Sequence, residues 1–381
     1  MSLLLSPATF RSLTLKNRII LSPMCQYSAK GGMANDYHFA HLARFGLGGF
    51  GAVFVEATAV TSEGRISYAD LGLWSDDHIL PLARIVSFLH GQGAAAGIQI
   101  GHAGRKASSA VWWRGRFDET EVEKPLIGFE DWPPVGPSAL PHAPHSSEYK
   151  VPHALTLSEM DDIRAAFVAA TQRAERAGFD IIEVHSAHGY LLHQFLSPLA
   201  NQRDDAFGGS LEHRMRFPFS VAKAVREAWP AEKLMFVRIS AQDGIEGGWT
   251  VEDSIIYARA LKAIGADLID CSSGGFEGGM FPVGPGYQVS LARALREGAC
   301  MPTMAVGLIT KPAEAEAIVR DGAADLVALG RAALDDPNWP LHARLELGGT
   351  ADPYAEWPRQ AGFVVRHKDR ALRLRGFAKD E

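Results

Sequence analysis

The sequence predicts an α/β fold: a (β/α)8 TIM barrel with a cap insertion after strand 3 and a C-terminal extension. Two observations carry this. Eight short, β-rich apolar runs alternate with longer amphipathic runs, the pattern of a parallel sheet closed by helices. Three of the helical runs also stop at a glycine, Gly178, Gly265 and Gly322, and each stop leads into an aspartate and a strand. A doubly wound sheet is the alternative, but it would place a Gly-rich turn after its first strand, and this chain has none there.

In chain order, the strand runs fall at 18–24, 52–58, 96–101, 180–185, 235–240, 268–273, 302–307 and 326–330. The helical patterns fall at 39–47, 79–92, 157–177, 211–228, 251–264, 289–297, 312–321 and 339–347. The spacing is even except after the third strand. There a Pro-, Trp- and Gly-rich stretch at 102–154 intervenes, read as a cap over the barrel mouth. Residues 1–348 then form one barrel domain, and 349–381 an extension that departs from the repeat.

Composition agrees with one large core: 381 residues, 47% of them hydrophobic. The net charge of −6 is evenly spread, with no basic run to attract nucleic acid or an anionic membrane. No apolar run is long enough to span a bilayer, and the first ten residues do not read as a signal peptide. Cys25, Cys271 and Cys300 are too few and scattered for a disulfide framework, an Fe–S cluster or a cysteine zinc site. A reducing cytoplasm is the expected location.

Barrel chemistry sits at the C-terminal ends of the strands. Those ends carry Ser22, Pro23, Met24, Cys25, Gln26 and Tyr27 on the first strand and Ala57 on the second. The third ends in a GHAGRK run starting at Gly101; the fourth leads into His185, His188 and Tyr190. Gly307 closes the seventh strand and Gly330-Arg331 the eighth, the usual phosphate seat of the fold, where glycine admits an anion and arginine adds a bidentate contact. Both glycines also fit plain tight turns. Gln99 and Arg238 are polar residues inside apolar strands. They suit a flavin pyrimidine edge and the charge of a reduced flavin, or a polar network in the barrel core.

His185 and His188 could begin a metal site with Glu183 or His193, but a donor pair polarising a carbonyl, with Tyr190 as neutral proton donor, fits better. No metal is expected. Cys25 reads as inert core or as a neighbour of a cofactor ring, and Tyr27 as a rim aromatic or a substrate donor.

These residues lie in longer runs. SPMCQY from Ser22, GIQIGHAGRKA from Gly97, EVHSAHGYL from Glu183 through FLSP at Phe195, and NQRDDAFGGSL from Asn201 together resemble the old yellow enzyme family. The resemblance covers 5–336, with the motifs in order. Cys25 with Tyr27, and the GHAGRKA run, are similar to the bacterial thermophilic-like branch of NADPH dehydrogenases and xenobiotic reductases. Two positions differ from common relatives: His213 where Asn is usual, and His188 where many have Asn.

The resemblance implies non-covalent FMN held by Ser22, Pro23, Met24, Cys25, Ala57, Gln99, Arg238, Gly330 and Arg331. It implies an ene-reductase that is reduced by NADPH or NADH, releases the nicotinamide, and then reduces an activated alkene. His185 and His188 would hold the carbonyl oxygen, Tyr190 would protonate the α-carbon, Tyr27 would touch substrate and Cys25 would tune the flavin. A homodimer or homotetramer is implied, with Trp357, Phe363 or Arg366 as candidates to reach a neighbouring site. The loop 274–286, with Phe276 and Phe281, should shape the pocket.

Three alternatives compete. The longer Fe–S reductases of the wider family need more chain and more cysteine. A Schiff-base or metal lyase needs a strand-end lysine or a carboxylate–histidine cluster. A catalytically silent FMN barrel would not need His185, His188 and Tyr190.

Overall fold

The computed structural model describes residues 2–111, 131–145, 149–348 and 352–375. Eight parallel strands close a barrel: β3 (Ile19–Leu21), β4 (Ala52–Ala59), β5 (Ala95–Gly101), β8 (Ile181–Ser186), β9 (Leu234–Ser240), β10 (Leu268–Ser272), β11 (Thr303–Ala305) and β12 (Leu326–Leu329), with β12 pairing back onto β3. Around them run α1 (Asp36–Leu47), α2 (Ile79–Gly91), α3 (Leu157–Arg176), α5 (Leu211–Ala228), α6 (Val251–Ala263), α7 (Val289–Ala299), α8 (Pro312–Arg320) and α10 (Trp339–Leu347). The expected (β/α)8 barrel is the fold.

The Gly-to-Asp punctuation has a physical reason. Gly178, Gly265 and Gly322 all take positive φ, which ends the helix without a Cβ clash. The aspartate that follows then accepts a backbone N–H from the strand before it. Asp180 Oδ2 takes Ala96 N at 2.8 Å, Asp267 Oδ2 takes Met235 N at 2.9 Å, and Asp325 Oδ2 takes Thr303 N at 3.0 Å. Each aspartate thus satisfies an amide at the strand's N-terminal end.

Side chains alternate across each strand. Outward residues such as Ile98, Val184, Val237 and Ile269 pack under the helices. Inward residues at the N-terminal half form a separate apolar plug that includes Ile20, Phe54, Ile181, Phe236 and Leu268. Phe54 and Phe236 stack there with ring centres 6.0 Å apart. A hairpin the sequence reading did not foresee, β1 (Ala8–Phe10) with β2 (Leu13–Leu15), covers this end with Ala8 and Leu15. The inward positions become polar only toward the other mouth.

The short helices α4 (Leu191–Leu196) and α9 (Arg331–Asp335) and the C-terminal helix α11 (Arg359–Leu374) also add to the expected pattern. Within the stretch expected as a cap, β6 (Val135–Gly136) pairs in parallel with β7 (His153–Ala154). Residues 112–130 and 146–148 of that stretch, and 349–351 and 376–381 of the extension, lie outside the described residues.

Candidate active site

A cavity of about 630 Å³ opens at the C-terminal mouth of the barrel. The strand ends bring most of the expected residues to it. Ser22 through Tyr27 follow β3, Ala57 lies on β4 and Gln99 on β5, and His185, His188 and Tyr190 come from β8 and its turn. Arg238 enters from β9, Gly307 from beyond β11, and Gly330-Arg331 from the end of β12. Phe276 is not among the lining residues. Its ring packs against His193 at 4.9 Å and under the Arg105 guanidinium at 5.0 Å. Tyr287 and Gln288, unforeseen, line the cavity instead.

The first strand's loop is held from behind. The pairing of β4 with β5 slips between Val55 and Thr58, a bulge that turns Ala57 to the cavity. Glu56 then reaches α1, where its Oε1 lies 3.1 Å from His38 Nε2, and its Oε2 accepts the Gln26 backbone N–H. Burial pushes the Cys25 thiol well up, with Asp70 and Glu56 adding to it, so it sits at the site as a neutral thiol.

The histidine pair is wired on several sides. Ala187 N donates to His185 Nδ1 at 3.2 Å, so neutral His185 carries its proton on Nε2. That Nε2 is 3.3 Å from His188 Nδ1, and His188 Nε2 is 2.6 Å from the Ser272 hydroxyl. The Ser272 proton can go to His188 Nε2 or to Gln288 Oε1, 3.3 Å away; when it goes to the nearer Nε2, His188 holds its proton on Nδ1, beside the His185 Nε2–H. Burial and then the Arg238 charge hold both imidazoles well below their ordinary range, so they are neutral donors. Tyr190, its ring 4.8 Å from that of His185, is raised well above its ordinary range by burial and is a neutral hydroxyl.

His188 has a left-handed backbone, φ 58°. Three contacts hold it: its N–H donates to Ser240 Oγ at 2.9 Å, its carbonyl accepts Lys106 Nζ at 3.0 Å, and Gly275 packs directly on it. The Lys106 ammonium also lies 5.0 Å from the centre of the Tyr190 ring.

Beneath this layer lies a polar floor. Gln99 Nε2 donates to Glu183 Oε1 at 2.8 Å, Arg238 Nε lies 3.1 Å from Asp270 Oδ2, and Arg238 Nη1 is 3.3 Å from Ser22 Oγ. Asp270 was not foreseen, although a charge inside an apolar strand is the signal that drew attention to Arg238. Ser272, Gln288 and Ser240 gave no such signal.

The two companions weighed for a metal site are committed elsewhere: Glu183 to Gln99, and His193 Nε2 to Asp243 at 3.0 Å. Among the described residues no group of three metal-ligating side chains forms, and no helix is long and apolar enough to cross a membrane. Of the tail candidates, Phe363 is exposed, Arg366 pairs with Asp352, and Trp357 packs near His342.

The chain matches the model of the NADH:flavin oxidoreductase / NADH oxidase family over residues 3–348. It is 44% identical over 358 residues to an NADPH dehydrogenase of Halalkalibacterium halodurans, covering 93% of this chain and 98% of that one. It is 43% identical over 360 residues to an NADPH dehydrogenase of a Geobacillus species, with 94% and 98% coverage. Among solved structures it is similar to morphinone reductase, with TM-score 0.75 and 25% identity over 94% of this chain and 96% of that one. It also resembles a 2-naphthoyl-CoA reductase, with TM-score 0.82 and 25% identity over 93% of this chain, and spans about half of that longer protein, 53%.

Proposed function

The chain belongs to the NADH:flavin oxidoreductase / NADH oxidase family, and from that premise we propose that it is an ene-reductase, reducing the C=C bond of α,β-unsaturated carbonyls and related activated alkenes. It is an FMN- and NAD(P)H-dependent oxidoreductase; the alkene substrate and the order of steps are the proposal.

The residues present fit the flavin. The cavity has small residues where bulk would intrude, Ala57, Gly307 and Gly330, and a buried guanidinium aimed into it, Arg238. Ser22 to Cys25, Gln99 and Arg238 would hold the ring system, and Gly307 and Gly330-Arg331 the phosphate. When bound, FMN supplies two-electron transfer from the nicotinamide to the alkene β-carbon.

The observation that carries the proposal is the adjacent pair of imidazoles beside a neutral tyrosine. The His185 Nε2–H and His188 Nδ1–H would grip the substrate oxygen and stabilise the charge that develops on it. The Tyr190 hydroxyl would deliver the proton to the α-carbon. Tyr27 would contact substrate from the rim, and Cys25 would lie against the flavin as a neutral thiol. Donor residues and cofactor residues share one cavity, which supports a ping-pong order in which nicotinamide leaves before the alkene enters.

The test is spectroscopic. Anaerobic NADPH should bleach the flavin bands of the purified protein, and cyclohexenone should restore them. Bleached protein that no activated alkene reoxidises would overturn the ene-reductase reading while leaving the NADPH dehydrogenase in place. By the family's pattern the protein works in the cytoplasm as a homodimer or homotetramer, which gel filtration with light scattering would check.

A further inference from the structure

We infer that Glu183 is a positioning residue that carries the proton shared by two buried carboxylates in the barrel floor, so that Arg238 is balanced by one carboxylate instead of two. Glu183 and Asp270 are both fully buried. One cation, Arg238, acts on both. The two carboxylates do not stand alike toward it. Asp270 Oδ2 is 3.1 Å from the guanidinium Nε. Among the described residues Asp270 accepts no hydrogen bond and is held by that ion pair alone, whereas Glu183 has only the Gln99 amide on Oε1, no cation in contact, and an Oε2 that is buried with no partner.

A carboxylate with one hydrogen bond and no cation in contact is costly to keep ionised in a dry interior. Binding a proton removes that cost. The groups facing Glu183 are Gln99 on β5, Arg238 on β9 and Asp270 on β10. Burial first and Asp270 second push its titration well above the usual carboxylate range, against Arg238. Burial raises Asp270 as well, but Asp270 has the guanidinium in contact and Glu183 does not, so the proton resides on Glu183 and the charge on Asp270.

The consequence runs through Arg238 to the flavin it faces. With Glu183 neutral, the guanidinium and Asp270 cancel, and the floor under the cofactor carries no net charge. Losing the Glu183 proton would add a negative charge below a flavin that itself gains negative charge on reduction. Reduction therefore favours keeping that proton, and over a window of alkaline pH it takes up one proton more than the flavin alone requires. The floor charge, and with it the flavin potential, is set by a residue that touches neither flavin nor substrate.

The test is the flavin midpoint potential of the FMN-loaded protein from about pH 6 to about pH 10, in the wild type and in Glu183→Gln. The two should coincide at the acid end. The wild type should then fall more steeply by one proton per two electrons and settle below Glu183→Gln. Breaks due to the flavin itself appear in both proteins and cancel. A Glu183→Gln potential above wild type by the same margin at every pH would mean that Glu183 is already ionised, and would overturn the inference. Coincidence at every pH would overturn it too. Should Glu183→Gln fail to retain FMN, Asp270→Asn decides: with the competing charge gone, the break must move to lower pH, and an unmoved break refutes the shared proton. The inference needs bound flavin only, so it can fail or stand whether or not any alkene is reduced.

Discussion

At the scale of single residues, the site works by keeping groups neutral. His185, His188, Tyr190 and Cys25 are all pushed toward their uncharged forms, each by burial first. Neutral imidazoles can donate without holding a permanent positive charge against Arg238, and a neutral phenol still has its proton to give. Tyr190→Phe removes that proton and little else, because the ring keeps its packing on His185 and Lys106. Flavin reduction by NADPH should proceed at the wild-type rate. Reoxidation by a weakly activated enone should slow by about 10²-fold or more, the usual reach of a general acid, and single-turnover stopped flow separates the two half-reactions. Equal slowing of both would assign Tyr190 to nicotinamide binding.

At the scale of elements, what the chain reveals in advance depends on how local the cause is. The eight strands were legible because alternation and glycine stops are local signals, and most of the cavity-lining residues because strand ends have a fixed place in a barrel. The bulge at Glu56–Ala57 and the β1–β2 hairpin were not, since both depend on pairings made across the fold. Ser272 and Gln288 were invisible for the same reason. A serine acquires its role only because β10 brings it within 2.6 Å of a histidine in the turn after β8.

Gly275 is the sharpest case. The loop after β10 was read as shaping the pocket through Phe276 and Phe281; neither lines the cavity, Phe281 packs over Gly244 and Gly274, and the loop meets the His188 turn backbone on backbone. A Cβ on Gly275 would lie 2.2 Å from the His188 carbonyl carbon and 2.3 Å from Gly189 N, and its φ is 128°. Gly275→Ala must therefore move either the loop or the left-handed His188. Overpacking of this kind costs about 1–3 kcal/mol, readable by urea denaturation. The alkene half-reaction should suffer more than FMN binding, because the displaced turn carries His188 and Tyr190 and not the phosphate seat. An Ala variant with wild-type stability and wild-type reoxidation would show that the loop yields freely and does not position His188.

At the scale of the whole molecule, the polar mouth of the barrel is maintained at a cost that pH can expose. Lys106 belongs to the GHAGRK run, donates to the His188 carbonyl and lies over Tyr190. Burial, with Arg105 adding to it, lowers its titration from 10.5 to about 8. Below about pH 8 both folded and unfolded chains hold the Lys106 proton, and the full penalty of burying the ammonium is present. Between about 8 and 10.5 the unfolded chain binds more protons than the folded one, so this residue's contribution makes stability rise with pH. Above that window the penalty is gone. Asp70, raised by burial to about 8, acts with the opposite sign at lower pH: its contribution falls from the ordinary carboxylate range up to about 8 and is flat beyond it. Cys25 and Tyr190, also raised by burial, add contributions that fall with pH on the alkaline limb, so the lysine is isolated by difference between variant and wild type. Lys106→Met, compared with wild type at saturating FMN, should be the more stable protein near pH 7 by an amount on the order of 1 kcal/mol, and the two curves should draw together toward pH 10. A constant difference across that range would mean that the ammonium is well solvated in the folded protein. The same variant should weaken the hold on the His188 turn, so its gain in stability should come with slower alkene reduction, as expected where an active site keeps a charge the fold alone would discard.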